Sequence, residues 1–539
     1  MKSRSLFIYL TTGIVILLLI TVGSFYWIYQ PLSLTKGGVK TNPQATMFVS
    51  KQAPVMVSLL VNPERLTAFS QWQREIEQIR DNLLAKTKLD YKGDLQNWLG
   101  DEVTLAVTSL DFDRNPANGV QPGYLLALKT KDSQLAKEFL QIYYSKQAIS
   151  DTAELIFEQY KGVNLIFQNS LIPTGEVSRV ASAVVGDFVL FANNLKVLKE
   201  AINNAQVVNL NLTHYQPYQD ALKTMAEPKI SLAYLNLPAT SAWIANYPLP
   251  ENPVIQQTLT LSLALKRQGL VTHTALFGVT GEENQPPSLS SPPETLNYIP
   301  RESILVAAGQ NLNQLWQQIA TGLPQNSPLQ QVINQAIAQI ETPLGINLAE
   351  DIFSWVGGEY AISLLPDETT NELNWMFVTK NPDITPLETL DNLAKTKGLS
   401  VGDLPLLDTT ITAWTKLTTT SQNDFASLEA KVKGVHTAIP PYQLLANSVD
   451  LLSDTISRPN NSLLNSEKFQ LAIEALPPEN DGYLYIDWPK FEPIIARKFP
   501  IIRVAELAIK PLFDNLRSLT ITSEGAENGV RRATVFLRF

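Results

Sequence analysis

The chain has 539 residues, a formal net charge of −9, no Cys, three His, 45% hydrophobic and 17% charged residues. Zero Cys excludes disulfides, thiol catalysis and thiolate metal sites, and three scattered His exclude a His-rich metal cluster. The acidic balance argues against a nucleic-acid partner, which selects a basic face, and normal apolar content at this length predicts several folded domains rather than disorder.

Residues 6–29, LFIYLTTGIVILLLITVGSFYWIY, carry no charge. A helix of that length reaches about 36 Å, enough to cross a hydrocarbon core of about 30 Å with some tilt. Phe25, Tyr26, Trp27 and Tyr29 suit the membrane–water interface at its far end. Lys2 and Arg4 precede the span, so the positive-inside rule keeps the N-terminus cytoplasmic and sends the body across. The competing reading is a cleaved signal peptide, with a weak cleavage site at Thr21–Ser24. The apolar character runs straight through that site into the aromatic cluster, which favours an uncleaved anchor. Residues 1–30 are therefore a cytoplasmic tip and transmembrane anchor, and 31–44 a tether containing Pro, Gly and Lys.

The body repeats itself. Asp94, Trp98, Gly100 and Glu102 of DLQNWLGDE align with Asp351, Trp355, Gly357 and Glu359 of DIFSWVGGE, 257 residues on. Tyr234 to Pro238 aligns with Tyr485 to Pro489, and Gly269 with Gly529, at nearly the same spacing. Three ordered anchors at one offset predict tandem modules at 45–280 and 296–539, joined by a Pro/Ser-rich linker at 281–295. Each module reads as strand, long helix, short helix, hairpin, helix, further strands and helices, and a final hairpin. Alternation of Val103, Leu105 and Val107 with Thr104, Ala106 and Thr108 predicts strands with one face covered by helices. The expected class is α+β: an N-terminal transmembrane helix, then two tandem repeats of a mostly antiparallel sheet covered by helices.

The repeated W-x-G-x-E reads as structural: Trp ends a short helix, Gly takes the positive φ of its end, and a strand follows. Trp98 and Trp355 would then bury against the sheet. A functional alternative places Glu102 and Glu359 in a site. In the second motif, Asn236 and Asp487 end a strand and cap a helix begun by Pro238 or Pro489. Gly398-Leu399-Ser400-Val401-Gly402 matches the G-x-S-x-G pattern of serine hydrolases, with His436 the only His downstream. That chemistry needs a strand-to-helix elbow, whereas this pattern follows a helix that Gly398 would cap. Asp111, Asp113 and Asn115 open like a calcium loop. Pro116 and Pro122 stand where Gly and an acidic ligand belong, so the stretch reads as a hairpin loop. Neither a phosphate-cradling nor a dinucleotide glycine motif is present. His214 and His273 read as surface or core residues.

With the apolar span, FVSKQAPVMVSLLVNP and the doubled W-[LV]-G-x-E, the chain resembles an uncharacterised family of cyanobacterial membrane-anchored proteins, a domain of unknown function. The resemblance brings no catalytic residues. It implies a photosynthetic host and a body facing periplasm or thylakoid lumen. The expected function is non-enzymatic: an anchored binding or scaffold protein that assists membrane complexes through a protein partner, without cofactor, metal or nucleic acid. The alternatives are a carrier of lipid or another apolar small molecule, and a hydrolase using Ser400.

Overall fold

The structure is a computed structural model that describes residues 38–61, 91–115, 119–150, 153–170, 180–225, 228–244, 257–266, 268–278, 287–322, 337–338, 341, 346–367, 373–406, 409–422, 425–498 and 515–539. The expected membrane span lies outside these residues. Among those described, no helix is long and apolar enough to cross a membrane.

The expected fold class is corrected. The described strands number twenty and pair antiparallel throughout, no helix among the described residues is a membrane span, and strand, at 43%, outweighs helix, at 30%. The sequence over-weighted helix because amphipathic helical stretches are easily read, whereas short strands with Thr or Ser on a buried face look polar. The chain divides into two compact units. One holds Asn284–Glu527 with Ala533–Phe539, and the other holds the described residues before Glu283 with Asn528–Arg532.

The N-terminal strands are β1 (Val55–Leu59), β2 (Leu99–Ser109), β3 (Gly123–Thr130), β4 (Ala153–Tyr160), β5 (Val163–Ser170), β6 (Ala181–Val185), β7 (Phe188–Ala192), β8 (Ser231–Asn236), β9 (Thr258–Lys266) and β10 (Gly269–Phe277). They pair in the order β10-β9-β8-β1-β2-β3-β7-β6-β5-β4. The later strands are β11 (Leu305–Gln310), β12 (Glu359–Pro366), β13 (Leu373–Lys380), β14 (Ser400–Leu406), β15 (Thr409–Gln422), β16 (Phe425–Ile439), β17 (Tyr442–Ala446), β18 (Gly482–Asp487), β19 (Ser518–Glu527) and β20 (Val530–Arg538). They pair in the order β20-β19-β18-β11-β12-β13-β17-β16-β15-β14. Each place in the second order is the first plus ten.

Helices pack on both faces within a unit. In the N-terminal unit α1 (Ser133–Ser150) packs Ala136, Phe139 and Leu140 over Leu128 and Val189. The opposite face takes α2 (Leu195–Gln206), through Val197, Leu198 and Ala201, and α3 (Gln216–Thr224), through Tyr218 and Leu222. A short α4 (Leu237–Ile244) follows β8. In the C-terminal unit α5 (Leu312–Gly322) and α6 (Thr385–Thr396) share a core with Trp375, Phe377 and Trp414. There α7 (Val449–Ser457) and α8 (Glu467–Ile473) pack on Met376, Val378 and Tyr485, and α9 (Trp488–Lys498) follows β18.

Burial in β2 does not follow the polarity of the alternation, and Val107 and Thr108 are both buried. Leu105 is 53% exposed, while Thr104 and Ala106 are buried. Thr104 tolerates burial because its hydroxyl meets Ser58 Oγ at 2.7 Å and bonds Glu102 at 3.3 Å. A satisfied hydroxyl carries little penalty in a core, so polarity alone misassigns the face.

Candidate functional site

The W-x-G-x-E motif forms a seat for the turn that opens each unit. Trp98 Nε1 donates to Asp94 O at 2.7 Å, and Trp355 Nε1 donates to Asp351 O at 2.7 Å. Each indole is thus fixed by the turn before it. Trp98 is buried 5.1 Å from the Phe139 ring; Trp355 is half-buried, 6.4 Å from Phe377. The expected positive φ is corrected, because neither Gly100 nor Gly357 adopts one. Gly100 serves close approach instead: a Cβ there would lie 2.9 Å from Lys129 O. At the second motif the close approach falls one residue later, where a Cβ on Gly358 would lie 2.5 Å from Lys380 O.

Glu102 is buried and accepts the backbone N–H of Gln44 at 2.9 Å and of Ala45 at 2.8 Å. These are free donors at the start of the 3₁₀ turn Ala45–Phe48. Burial pushes the Glu102 carboxyl above its ordinary value, against the pull of those N–H groups, Thr104 and Lys129. Glu359, half-buried, accepts the matching bond from Glu294 N at 2.7 Å, at the start of the 3₁₀ turn Glu294–Tyr298. The sequence missed this capping role. Its signal was a Glu repeated inside a strand, where burial demands a partner.

The two seats differ in chemistry. In the N-terminal unit Phe48 meets Phe188 edge-on at 5.3 Å. In the C-terminal unit Tyr298 and Tyr442 take that place, 5.0 Å apart. There Glu294 Oε2 accepts Lys380 Nζ and the Tyr442 hydroxyl, each at 2.7 Å. Lys380 beside Glu294 holds that carboxyl below its usual range and is itself raised by the carboxylate. Glu294 is exposed and Tyr442 and Lys380 are half-buried, so this seat presents a partly exposed Tyr–Glu–Lys cluster with hydrogen-bonding groups.

Tyr234 and Tyr485 are buried, the latter 5.3 Å from the Phe469 ring. Asn236 Oδ1 accepts Ala239 N at 3.4 Å, a helix cap on α4, with Pro238 in its first turn. Asp487 precedes α9, with Pro489 in its first turn, and its carboxylate lies 3.5 Å from Lys468 Nζ.

The structure separates the serine-hydrolase residues. Gly398 has φ +77° and its N–H donates to Lys395 O, so it stops α6. Gly402 lies within β14 opposite Ala413. Ser400 opens β14 opposite Thr415, while Val401 lies opposite Trp414. His436 lies opposite Thr412, on the face of Trp414, so Ser400 belongs to the other face. His436 Nε2 bonds Asp391 Oδ1 at 2.8 Å, the oxygen that also accepts Trp414 Nε1 at 2.7 Å. That carboxylate ties α6 to β15 and β16. In the β2–β3 loop Asp111 Oδ1 accepts Gln121 N at 3.4 Å and Asp113 Oδ1 accepts Asn115 N at 3.1 Å. Burial and the neighbouring Asp113 raise Asp111. Among the described residues no group of three His, Cys, Asp or Glu side chains is placed to hold a metal. His214 ends the 3₁₀ turn Leu212–His214, and His273 lies in β10 opposite Ser262.

No curated protein matches the chain. Two crystal forms of TP0453 resemble it, at 11% and 12% identity and TM-scores of 0.26 and 0.24. Each match covers 46% of this chain and 83% or 84% of the other, and likeness at that level carries no argument. A family model matches residues 10–539, nearly the whole length, and the chain belongs to the family described as "Protein of unknown function (DUF3352)".

Proposed function

We propose that this protein is a single-pass, membrane-anchored, extracytoplasmic binding or scaffold protein built from two copies of one module. Its role is to assist the assembly or upkeep of membrane complexes, photosynthetic ones in the cyanobacterial host that the sequence resemblance implies. The observation that carries the reading is the repeated ten-strand order with different chemistry at matched seats: Phe48 with Phe188 in one unit, Tyr298 with Tyr442, Glu294 and Lys380 in the other. One framework holding two unlike surfaces suits recognition of two partners. The uncharged run at residues 6–29 supports the anchor.

The test is an affinity pull-down of the mildly solubilised full-length chain from its own membranes, read by mass spectrometry, beside a control lacking residues 1–30. Reproducible recovery of one membrane complex with the full chain supports the reading. Recovery of the chain alone removes it. A carrier of lipid or another apolar small molecule is the second reading, favoured by Leu105, 53% exposed between its cross-strand neighbours Val57 and Leu126. A lipid retained through purification would move the weight there.

A further inference from the structure

The turn after α2 has a counterpart after α7, matched bond for bond. Val207 N donates to Asn203 O and Leu210 N to Val207 O, as Arg458 N donates to Asp454 O and Asn461 N to Arg458 O. Lys51 N donates to Leu210 O, as Arg301 N donates to Asn461 O. Leu212 N donates to Val49 O, as Leu463 N donates to Ile299 O. The backbone is the same, and the side chains are not.

In the N-terminal unit the turn exposes Val207 at 42%, Val208 at 50% and Leu210 at 45%, with Met47 at 36% on the adjoining 3₁₀ turn. The matching positions in the C-terminal unit carry Arg458, Pro459, Asn461 and Asn297. Folding this turn therefore does not require apolar side chains, and their exposure in one copy needs another cause. The surroundings point to that cause. No charged residue occurs from 201 to 219 or from 41 to 50, and the second stretch is flanked by Lys40 and Lys51. An uncharged apolar tip with lysines at its margin fits a lipid headgroup boundary.

Connectivity limits how far this tip can lie from the anchor. Val39 pairs with Lys229 and packs in the cluster that contains Val49 and Leu212, the residues flanking the turn. Ten residue steps separate Tyr29, the end of the apolar run, from Val39. They span at most about 35 Å when fully extended. We infer that Met47, Val207, Val208 and Leu210 form a membrane-contacting tip, which inserts at the headgroup boundary of the leaflet where the N-terminal anchor emerges. The inference rests on the anchored reading of residues 6–29.

The Cys-free chain permits a clean test. Leu210→Cys and Asn461→Cys are each labelled with bimane in the full-length protein and reconstituted into vesicles of phosphatidylcholine and phosphatidylglycerol brominated on the acyl chains. Insertion of the anchor is scored separately by carbonate-resistant flotation. The expected result is at least threefold stronger quenching at 210 than at 461. Adding Val207→Arg with Val208→Pro, residues that the same turn already holds in the other unit, should bring quenching at 210 down to the level at 461. Protein that floats but is quenched no more at 210 than at 461, or is unaffected by the double substitution, overturns the tip alone. Protein that does not float overturns the anchored reading, and the tip with it.

Discussion

Glu102→Ala tests the seat at the start of the N-terminal unit. The carboxylate accepts two backbone donors, Gln44 N at 2.9 Å and Ala45 N at 2.8 Å, and Ala would leave both without it. Hydrogen bonds to a charged group contribute about 1.5–3 kcal/mol each. Part of that sum is offset, because the substitution also relieves the burial that raises the carboxyl's pKa. The net loss is about 2–3 kcal/mol, which corresponds to roughly 30- to 150-fold faster local amide exchange. The assay is hydrogen exchange by mass spectrometry on a peptide covering residues 43–50 of the full chain. Glu359→Ala is the internal comparison. The Glu359 carboxylate accepts the N–H of Glu294 in an exposed setting and lies 3.7 Å from Lys380 Nζ. Its removal should cost at most about 1 kcal/mol. Equal acceleration in the two units, or none at residues 43–50, refutes the argument that the buried double cap holds the turn.

The same carboxyl sets a pH dependence. Its folded-state pKa lies above the ordinary 4.5, so its contribution to stability is fully present below that value and is lost as pH rises through the folded value. Glu102→Gln should remove that slope from a urea series at stepped pH. Asp391→Ala strips the shared acceptor from Trp414 Nε1 and His436 Nε2, and should cost about 2–4 kcal/mol in urea midpoint analysis, whereas Asp391→Asn, which keeps an oxygen, should cost less. Lys229 is buried, with its ammonium 3.2 Å from Met225 O, and burial lowers its pKa; Lys229→Met should raise the urea midpoint by about 1 kcal/mol equivalent near neutral pH. A fluorophosphonate probe should leave Ser400 unlabelled, since strand register puts His436 on the opposite face.

Trp98 and Trp355 each donate to a preceding carbonyl, a bond the sequence did not suggest, while the repeat of Trp98 at Trp355 and of Tyr234 at Tyr485 could be read from it. Those repeats were legible because an aromatic or Pro at a fixed offset is rare enough to align by eye. Gly100 was legible in position but not in cause, whereas at Gly357 neither a positive φ nor a crowding atom demands glycine. A positive φ and a carbonyl pressed against the Cα both demand Gly, and only coordinates distinguish them. The burial of Thr104 in β2 escaped the sequence because it hides its hydroxyl against Ser58 and Glu102, partners 46 and two residues away. Burial that depends on a distant partner leaves no local pattern.

The exposed valines after α2 show the converse. Taken alone, Val207 and Val208 are two ordinary surface residues, of the kind that needs no explanation. The matched turn with Arg458 and Pro459 changes what their exposure means. If the apolar pair stabilised the turn, the turn of the other unit would lose that stabilisation while keeping the four matched backbone bonds. It keeps the bonds with a guanidinium and a proline ring in their place, so the stabilisation comes from the backbone and the side chains are left to an outside surface. Tyr442 and Glu294 invite the same reasoning. Phe188 fills the matching place without a hydroxyl, so the Tyr–Glu–Lys contacts exceed what the seat needs to fold, and that surplus is where a partner of the C-terminal unit should be sought.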